Sequence, residues 1–208
     1  MRNMRRILLF GWVVAVGAAV AACAPFMAGQ ANHDSEVQLR TVQTPAGPLK
    51  LAVIERGQGR PILLLHGFAT SSYTWHAIIP ELSKNHRVIA VDLRGFGASD
   101  KPDDDHYSIQ DQVQAVQAFI EQENLRDLTV IGHSFGGGIT LSMALNAQGQ
   151  KKPRIRNIVL IDTIAYRQPI PIFFKLLQIP MVGDISMSLA TSRGVNPTCA
   201  VRVRSMST

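Results

Sequence analysis

The segment Gly132-His133-Ser134-Phe135-Gly136 sets a serine between two glycines directly after the apolar run Leu128-Thr129-Val130-Ile131. A strand that turns sharply into a helix at such a serine lifts its Oγ above a sheet, where it can attack an electrophilic carbon. Side chains at 132 and 136 would collide with the neighbouring helix and strand, so the turn needs glycine at both. Gly137 and Gly138 extend this permissiveness and let the helix pack close. The N-terminus of that helix favours negative charge developing nearby. The same residues also admit a plainer reading, a glycine-rich turn whose serine caps the helix.

Two further segments bear on that choice. His66-Gly67-Phe68 directly follows an apolar run ending at Leu65, and Asp92-Leu93-Arg94-Gly95-Phe96-Gly97-Ala98-Ser99-Asp100-Lys101-Pro102 directly follows one ending at Val91. Together with residues 132–137, in this order and spacing, they resemble the α/β-hydrolase superfamily over about residues 37–190. The resemblance implies Ser134 as nucleophile and the backbone N–H groups of Phe68 and Phe135 as the oxyanion hole. It also implies that a serine here sets the chain apart from the aspartate-nucleophile branch, which includes haloalkane dehalogenases and epoxide hydrolases. Under the same resemblance neither His66 nor His133 is the triad base. His66 is expected to shape the oxyanion loop, and His133 to pack under the turn.

Positioning these groups requires a sheet. Pro61-Ile62-Leu63-Leu64-Leu65, Val88-Ile89-Ala90-Val91, Leu128-Thr129-Val130-Ile131 and Ile158-Val159-Leu160-Ile161 are short continuous apolar runs, as expected of strands buried on both faces of a parallel sheet. A hairpin precedes them: Val37 to Val42 roughly alternates, Pro45-Ala46-Gly47 supplies the turn, and Leu49 to Ile54 returns. A helix is predicted from Ser108, capped reciprocally with Asp111, with an apolar stripe of Ile109, Val113, Val116, Phe119 and Ile120. The helix after Ser134 offers Ile139, Leu141, Met143 and Leu145 for packing. Alternating strand and helix predicts an α/β fold, a mostly parallel sheet with helices on both faces and right-handed crossovers.

The family pattern breaks downstream. A triad of this type runs serine, acid, histidine along the chain. The six histidines are His33, His66, His76, His86, His106 and His133, so none follows Ser134. Asp162, at the end of the run 158–161, is a weak candidate for the acid; Asp184 is the other acid after the serine. Residues 165–190 are rich in Ile, Pro, Phe, Leu and Met, and the resemblance implies that they begin an apolar cap. Residues 191–208 show neither helical nor strand periodicity. The expectation is a fold incomplete at its C-terminus through truncation or frameshift near residue 190, leaving 158–161 as an apolar, aggregation-prone edge.

The charge balance narrows the partners. The 21 Lys and Arg against 15 Asp and Glu give +6, which suggests nucleic acid. Setting aside Arg2, Arg5, Arg6, Arg193, Arg202 and Arg204 leaves 15 basic against 15 acidic residues, so the body is neutral. A phosphate-tracking surface would need its cations in the folded part, and nucleic-acid binding is not expected.

Residues 1–22 read as an export signal, with Arg2, Arg5 and Arg6 before an apolar stretch from Ile7 to Val20. Val20-Ala21-Ala22-Cys23 resembles the lipobox of bacterial lipoproteins, which implies acylation of Cys23 and an exported, membrane-anchored protein. The alternative is an uncleaved signal anchor, since Ile7 to Ala28 carries no charge and is long enough to span a bilayer. Residues 23–36 read as a tether and 37–164 as the core. With Cys23 acylated, Cys199 is the one remaining thiol and no intrachain disulfide forms.

The leading expectation is a serine hydrolase acting on an ester or related carbonyl compound through an acyl-enzyme. No cofactor is implied, and no Cys, His and carboxylate cluster has metal-ligand spacing. The alternative is a non-catalytic truncated remnant or binding lipoprotein that keeps the pocket without the triad.

Overall fold

The computed structural model describes residues 36–149 and 153–165. The signal, the tether up to residue 35, Cys23, Asp184, the apolar residues from 166 and the tail 191–208 lie outside the described residues.

Six strands form one sheet: β1 (Gln38–Thr44), β2 (Gly47–Arg56), β3 (Arg60–Leu65), β4 (His86–Val91), β5 (Leu128–His133) and β6 (Ile155–Ile161). Their spatial order is β1-β2-β4-β3-β5-β6. The hairpin β1–β2 is antiparallel and turns at Thr44↔Gly47, and β2 runs antiparallel to β4. The pairs β4–β3, β3–β5 and β5–β6 are parallel, as the four apolar runs predict.

Alternation along the strands sends successive side chains to opposite faces. Leu63, Leu65, Ile89 and Val91 join one core, which α2 (Ile109–Gln122) and α3 (Phe135–Asn146) cover with Val113, Val116, Phe119, Ile139 and Met143. Ile62, Leu64, Val88 and Ala90 face the other way and meet Trp75, from the 3-10 turn Ser72–Trp75, and Ile79 of the short helix α1 (Ile79–Leu82). Fully burying one such aliphatic side chain contributes about 1.5–3 kcal/mol, so doubly covered central strands hold the sheet together.

α2 begins as its sequence dictates. Ser108 Oγ accepts from the Asp111 N–H at 3.2 Å, and Asp111 Oδ2 accepts from the Ser108 N–H at 2.9 Å. The stripe is buried from Val113 onward, but Ile109 remains 38% exposed because it opens the first turn, beyond the reach of the sheet. Leu145, near the end of α3, is also exposed. β6 ends the sheet among the described residues, and Ile158, Val159, Leu160 and Ile161 are all at least 37% exposed.

Register gathers the loops that matter. Leu65 lies opposite both Val91 and Gly132, and His133 lies opposite Ile161. His66, Asp92, Ser134 and Asp162 therefore all emerge at the same C-terminal edge of the parallel strands, where α/β folds place their sites.

Candidate active site

Ser134 joins β5 to α3 with φ 50 and ψ −110. A non-glycine residue there is strained by on the order of 1–3 kcal/mol and needs its surroundings to hold it. They do: the Ser134 N–H donates to Ile161 O at 2.9 Å, and its carbonyl accepts from Gly138 N–H at 3.1 Å and Ile164 N–H at 3.3 Å. Ser134 makes no side-chain capping hydrogen bond to α3. The plainer reading of this serine as a helix cap is thereby removed.

The glycines are required by close approach. A Cβ on Gly136 would lie 2.6 Å from the His66 carbonyl oxygen and closer still to that of Leu65. The Gly136 N–H donates to His66 O at 3.1 Å, which draws the first turn of α3 against the end of β3. Gly67 passes over the turn so closely that a Cβ there would be 3.0 Å from His133 Nδ1 and 3.4 Å from Ser134 Cβ. The segment 66–68 thus runs directly beside the serine.

Phe68 follows that glycine, and Phe135 is the first residue of α3, where a backbone N–H has no acceptor within its own helix. Their rings meet edge to face at 6.2 Å, and Phe96 from the loop after β4 packs on both, at 5.5 Å from Phe68 and 6.2 Å from Phe135. Aromatic rings from two loops and the start of α3 therefore pack together at this edge.

His66 is fully buried. Its Nδ1 lies 2.7 Å from Gly67 O, and its Nε2 accepts from the Leu93 N–H at 3.0 Å. Burial lowers its pKa, and the repulsion of His133 adds to this; Asp92 and the hydrogen bond to Gly67 pull the other way. His133 is half-buried beside Gly67, and its Nδ1 has no hydrogen-bond partner among the described residues. Asp162, in the left-handed region at φ 44, follows β6 and is exposed.

The residues that organise this edge most strongly belong to the loop after β4. Buried Asp92 accepts from the Ser72 N–H at 2.6 Å and the Ala98 N–H at 2.8 Å. Ser99 Oγ donates to Asp92 O at 2.6 Å and accepts from the Ala52 N–H at 2.8 Å. Asp92 N–H reaches Ala52 O at 2.9 Å, Asp100 N–H reaches Lys50 O at 2.9 Å, and Lys50 N–H returns to Asp100 Oδ2 at 2.8 Å. Where β2 has run past β4, this loop takes over as its hydrogen-bonding partner.

Arg94, also buried, pairs with both oxygens of Asp104 at 2.5 and 2.6 Å and lies over the Tyr107 ring at 5.2 Å. Partial burial would raise the Asp104 pKa, but the hydrogen bonds from Arg94 and the His106 N–H, with the Arg94 charge, hold it below its ordinary value. The sequence carries a hint of this network: aspartate, arginine and serine crowd into a glycine-bearing stretch next to the buried run Val88–Val91, where polar groups must find partners.

Residues 60–183 match the alpha/beta hydrolase fold family. The chain is 35% identical over 129 residues to the haloalkane dehalogenase of Agrobacterium fabrum, a match covering 59% of this chain and 42% of that protein. It is 31% identical over 122 residues to the 2-hydroxy-6-oxo-2,4-heptadienoate hydrolase of Pseudomonas putida, covering 57% of this chain and 43% of that protein. The structure of an esterase from Exiguobacterium antarcticum matches with a TM-score of 0.57 and 29% identity, covering 64% of this chain and 48% of the other. The chain therefore spans less than half the length of each of these proteins. A match that begins with the first residue of β3 and runs beyond β6 takes in every parallel strand and the turn at Ser134, and the chain belongs to the alpha/beta hydrolase fold family.

Proposed function

We propose that this chain carries the nucleophile and oxyanion half of a serine hydrolase acting on an ester or related carbonyl compound. The observation that carries the reading is Ser134, held in a strained turn with no capping bond from its hydroxyl to α3. Its Oγ attacks the carbonyl carbon, and the backbone N–H groups of Phe68 and Phe135 receive the charge developing on the carbonyl oxygen. The bond to the leaving group then breaks as that group takes up the proton given up by the serine hydroxyl, giving an acyl-enzyme that water hydrolyses to the acid and free serine. A serine in this place favours acyl transfer over the chemistry of the dehalogenase relative. Similarity to an esterase and to a hydrolase of an oxo-dienoate supports a carbonyl electrophile.

Proton transfer is the weak link. No histidine follows Ser134, and exposed Asp162 is the one acid after it among the described residues. A serine without a general base is a poor nucleophile, and losing the base costs on the order of 10⁶ in turnover in a serine protease. These 208 residues by themselves are therefore expected to turn over substrate slowly. The second reading is a non-catalytic remnant or binding lipoprotein that keeps the pocket without the triad.

A fluorophosphonate probe decides between them, because its P–F bond breaks as a serine P–O bond forms, without a turnover cycle. Labelling of the folded chain at Ser134, abolished in Ser134→Ala, supports the hydrolase reading. Folded protein that stays unlabelled over hours at millimolar probe would leave the binding reading in its place.

The membrane address is part of the proposal: export, acylation of Cys23 and a lipid-held core facing away from the cytoplasm. Metabolic labelling with an alkynyl fatty acid in a bacterial host is expected to mark the wild type and not Cys23→Ser. Equal labelling of both would remove the lipoprotein assignment and favour the uncleaved anchor.

A further inference from the structure

β6 offers both backbone groups and apolar surface on its outer side. The Ile161 carbonyl is turned toward β5, where it accepts from the Ser134 N–H at 2.9 Å. Pairing with β5 is regular from Asn157 to Ile161, so alternation turns the N–H and C=O of Ile158 and Leu160 outward. No strand lies on that side among the described residues. The side chains of Ile158 and Leu160 share one face and those of Val159 and Ile161 the other, each more than a third exposed. Open edges are ordinarily blunted by Lys, Pro or an inward-pointing charge, and Asn157-Ile158-Val159-Leu160-Ile161 contains none of these.

A two-fold axis normal to the sheet sets two copies of one edge antiparallel. Residues turned outward exchange bonds with residues turned outward, so Ile158 faces either itself or Leu160 of the second copy. Facing Leu160, both outward residues of each copy are paired and the axis passes through Val159. Asn157 then lies opposite Ile161, and Arg156 lies opposite Asp162. That last pair joins opposite charges and occurs at both ends of the seam. Arg156 and Asp162 are both exposed, and Arg156 reaches exposed Asp127 no closer than 3.9 Å. Facing itself, Ile158 would set Arg156 against Leu160 and bring Asp162 to Arg154, whose Nη1 already donates to Asn124 Oδ1 and Leu125 O at 3.2 Å.

We propose that the edge of β6 is a docking surface for a second copy of this chain, giving a two-fold dimer with one continuous sheet. Val159 sits on the axis, Ile158 and Leu160 exchange backbone bonds across it, and Arg156 meets Asp162 at each end. Cross-strand apolar pairs on both faces of the seam and the opposite charges at its ends all favour this register. Each copy spends its open edge on the other, so the assembly closes at two. The dimer does not depend on the chemistry at Ser134.

The test uses the full chain in detergent, with Cys23→Ser and Cys199→Ser so that an added cysteine is the one thiol present. Antiparallel residues opposite each other at a position without mutual hydrogen bonds hold their Cα atoms about 4.5 Å apart, within the reach of a disulfide. Val159→Cys is therefore expected to give a covalent dimer on oxidation with copper phenanthroline at micromolar protein. Ile158→Cys, whose equivalent in the second copy lies two residues off, is expected to cross-link at least about tenfold more slowly. In sedimentation without added cysteines, Arg156→Asp and Asp162→Arg are each expected to weaken the dimer about fivefold or more, since each sets like charges opposite at both ends. The double reversal Arg156→Asp with Asp162→Arg is expected to restore it. Equal cross-linking at 158 and 159, open-ended polymers, or a dimer indifferent to the reversals would overturn the proposal. A chain that stays monomeric at high micromolar concentration would overturn it too, and slow amide exchange at Ile158 and Leu160 in that monomer would give the edge to another segment of the same chain. If Val159→Cys does not fold, the reversals decide, and a double reversal no tighter than the single ones refutes the pairing.

Discussion

Asp92→Ala is expected to destabilise the chain by about 3 kcal/mol or more. The carboxylate is buried and accepts from two backbone N–H groups, those of Ser72 and Ala98. Removing it strands both donors, and each buried unpaired group costs about 1–3 kcal/mol. Asp92→Asn separates charge from geometry. Its amide oxygen can still satisfy Ser72, while its NH₂ must face the Ala98 N–H, so an intermediate loss is expected. Urea melts of the two variants check the order. A loss under 1 kcal/mol for alanine would show that the loop after β4 does not depend on this residue.

Gly136→Ala is the second large effect, and it acts on site and fold together. The added methyl would lie 2.6 Å from His66 O and closer to Leu65 O, both backbone atoms at the end of the central strand β3. No rotamer relieves such a contact. Either β3 or the first turn of α3 must move, and overpacking of this kind costs about 1–3 kcal/mol. The bond from Gly136 N–H to His66 O is lost in the same shift. Ser134 labelling is therefore expected to fall by about tenfold or more at a urea concentration where the protein is still folded. Undiminished labelling, with a melt within 0.5 kcal/mol of wild type on the ordinary scale for harmless substitutions, would contradict the close packing at this turn.

The centre of the sheet was legible because β3 and β4 are buried on both faces. The unbroken runs Ile62–Leu65 and Val88–Val91 lie where neither side of the strand meets water, whereas the equally apolar run Ile158–Ile161 is exposed among the described residues. The helix from Ser108 was legible because its start is a local exchange between residues three apart. The serine turn was legible for the same reason, since strand, glycines and helix are contiguous there. Strand order was not, because no local signal says that β3 lies between β4 and β5. The role of Asp92 was equally hidden. Its partner Ser72 is 20 residues away, and the linked pair Ala52 and Ser99 are 47 apart. Such bonds exist only after the loops have been brought to one edge. Ile109 shows the opposite failure, in which a correct helical period includes a residue that the helix has not yet carried over the sheet.

The central place of β3 bears on how the chain is made. Its two neighbours in the sheet are β4, which follows within about twenty residues, and β5, whose Thr129 pairs with Ile62. A ribosome adds about 5–20 residues per second, so β3 and β4 are synthesised several seconds before β5 exists. During that interval one edge of the apolar run Ile62–Leu65 is open in the nascent chain. The hairpin β1–β2 can already cover the far side of β4, leaving the β3 edge as the surface a chaperone would hold until the serine turn arrives to close it.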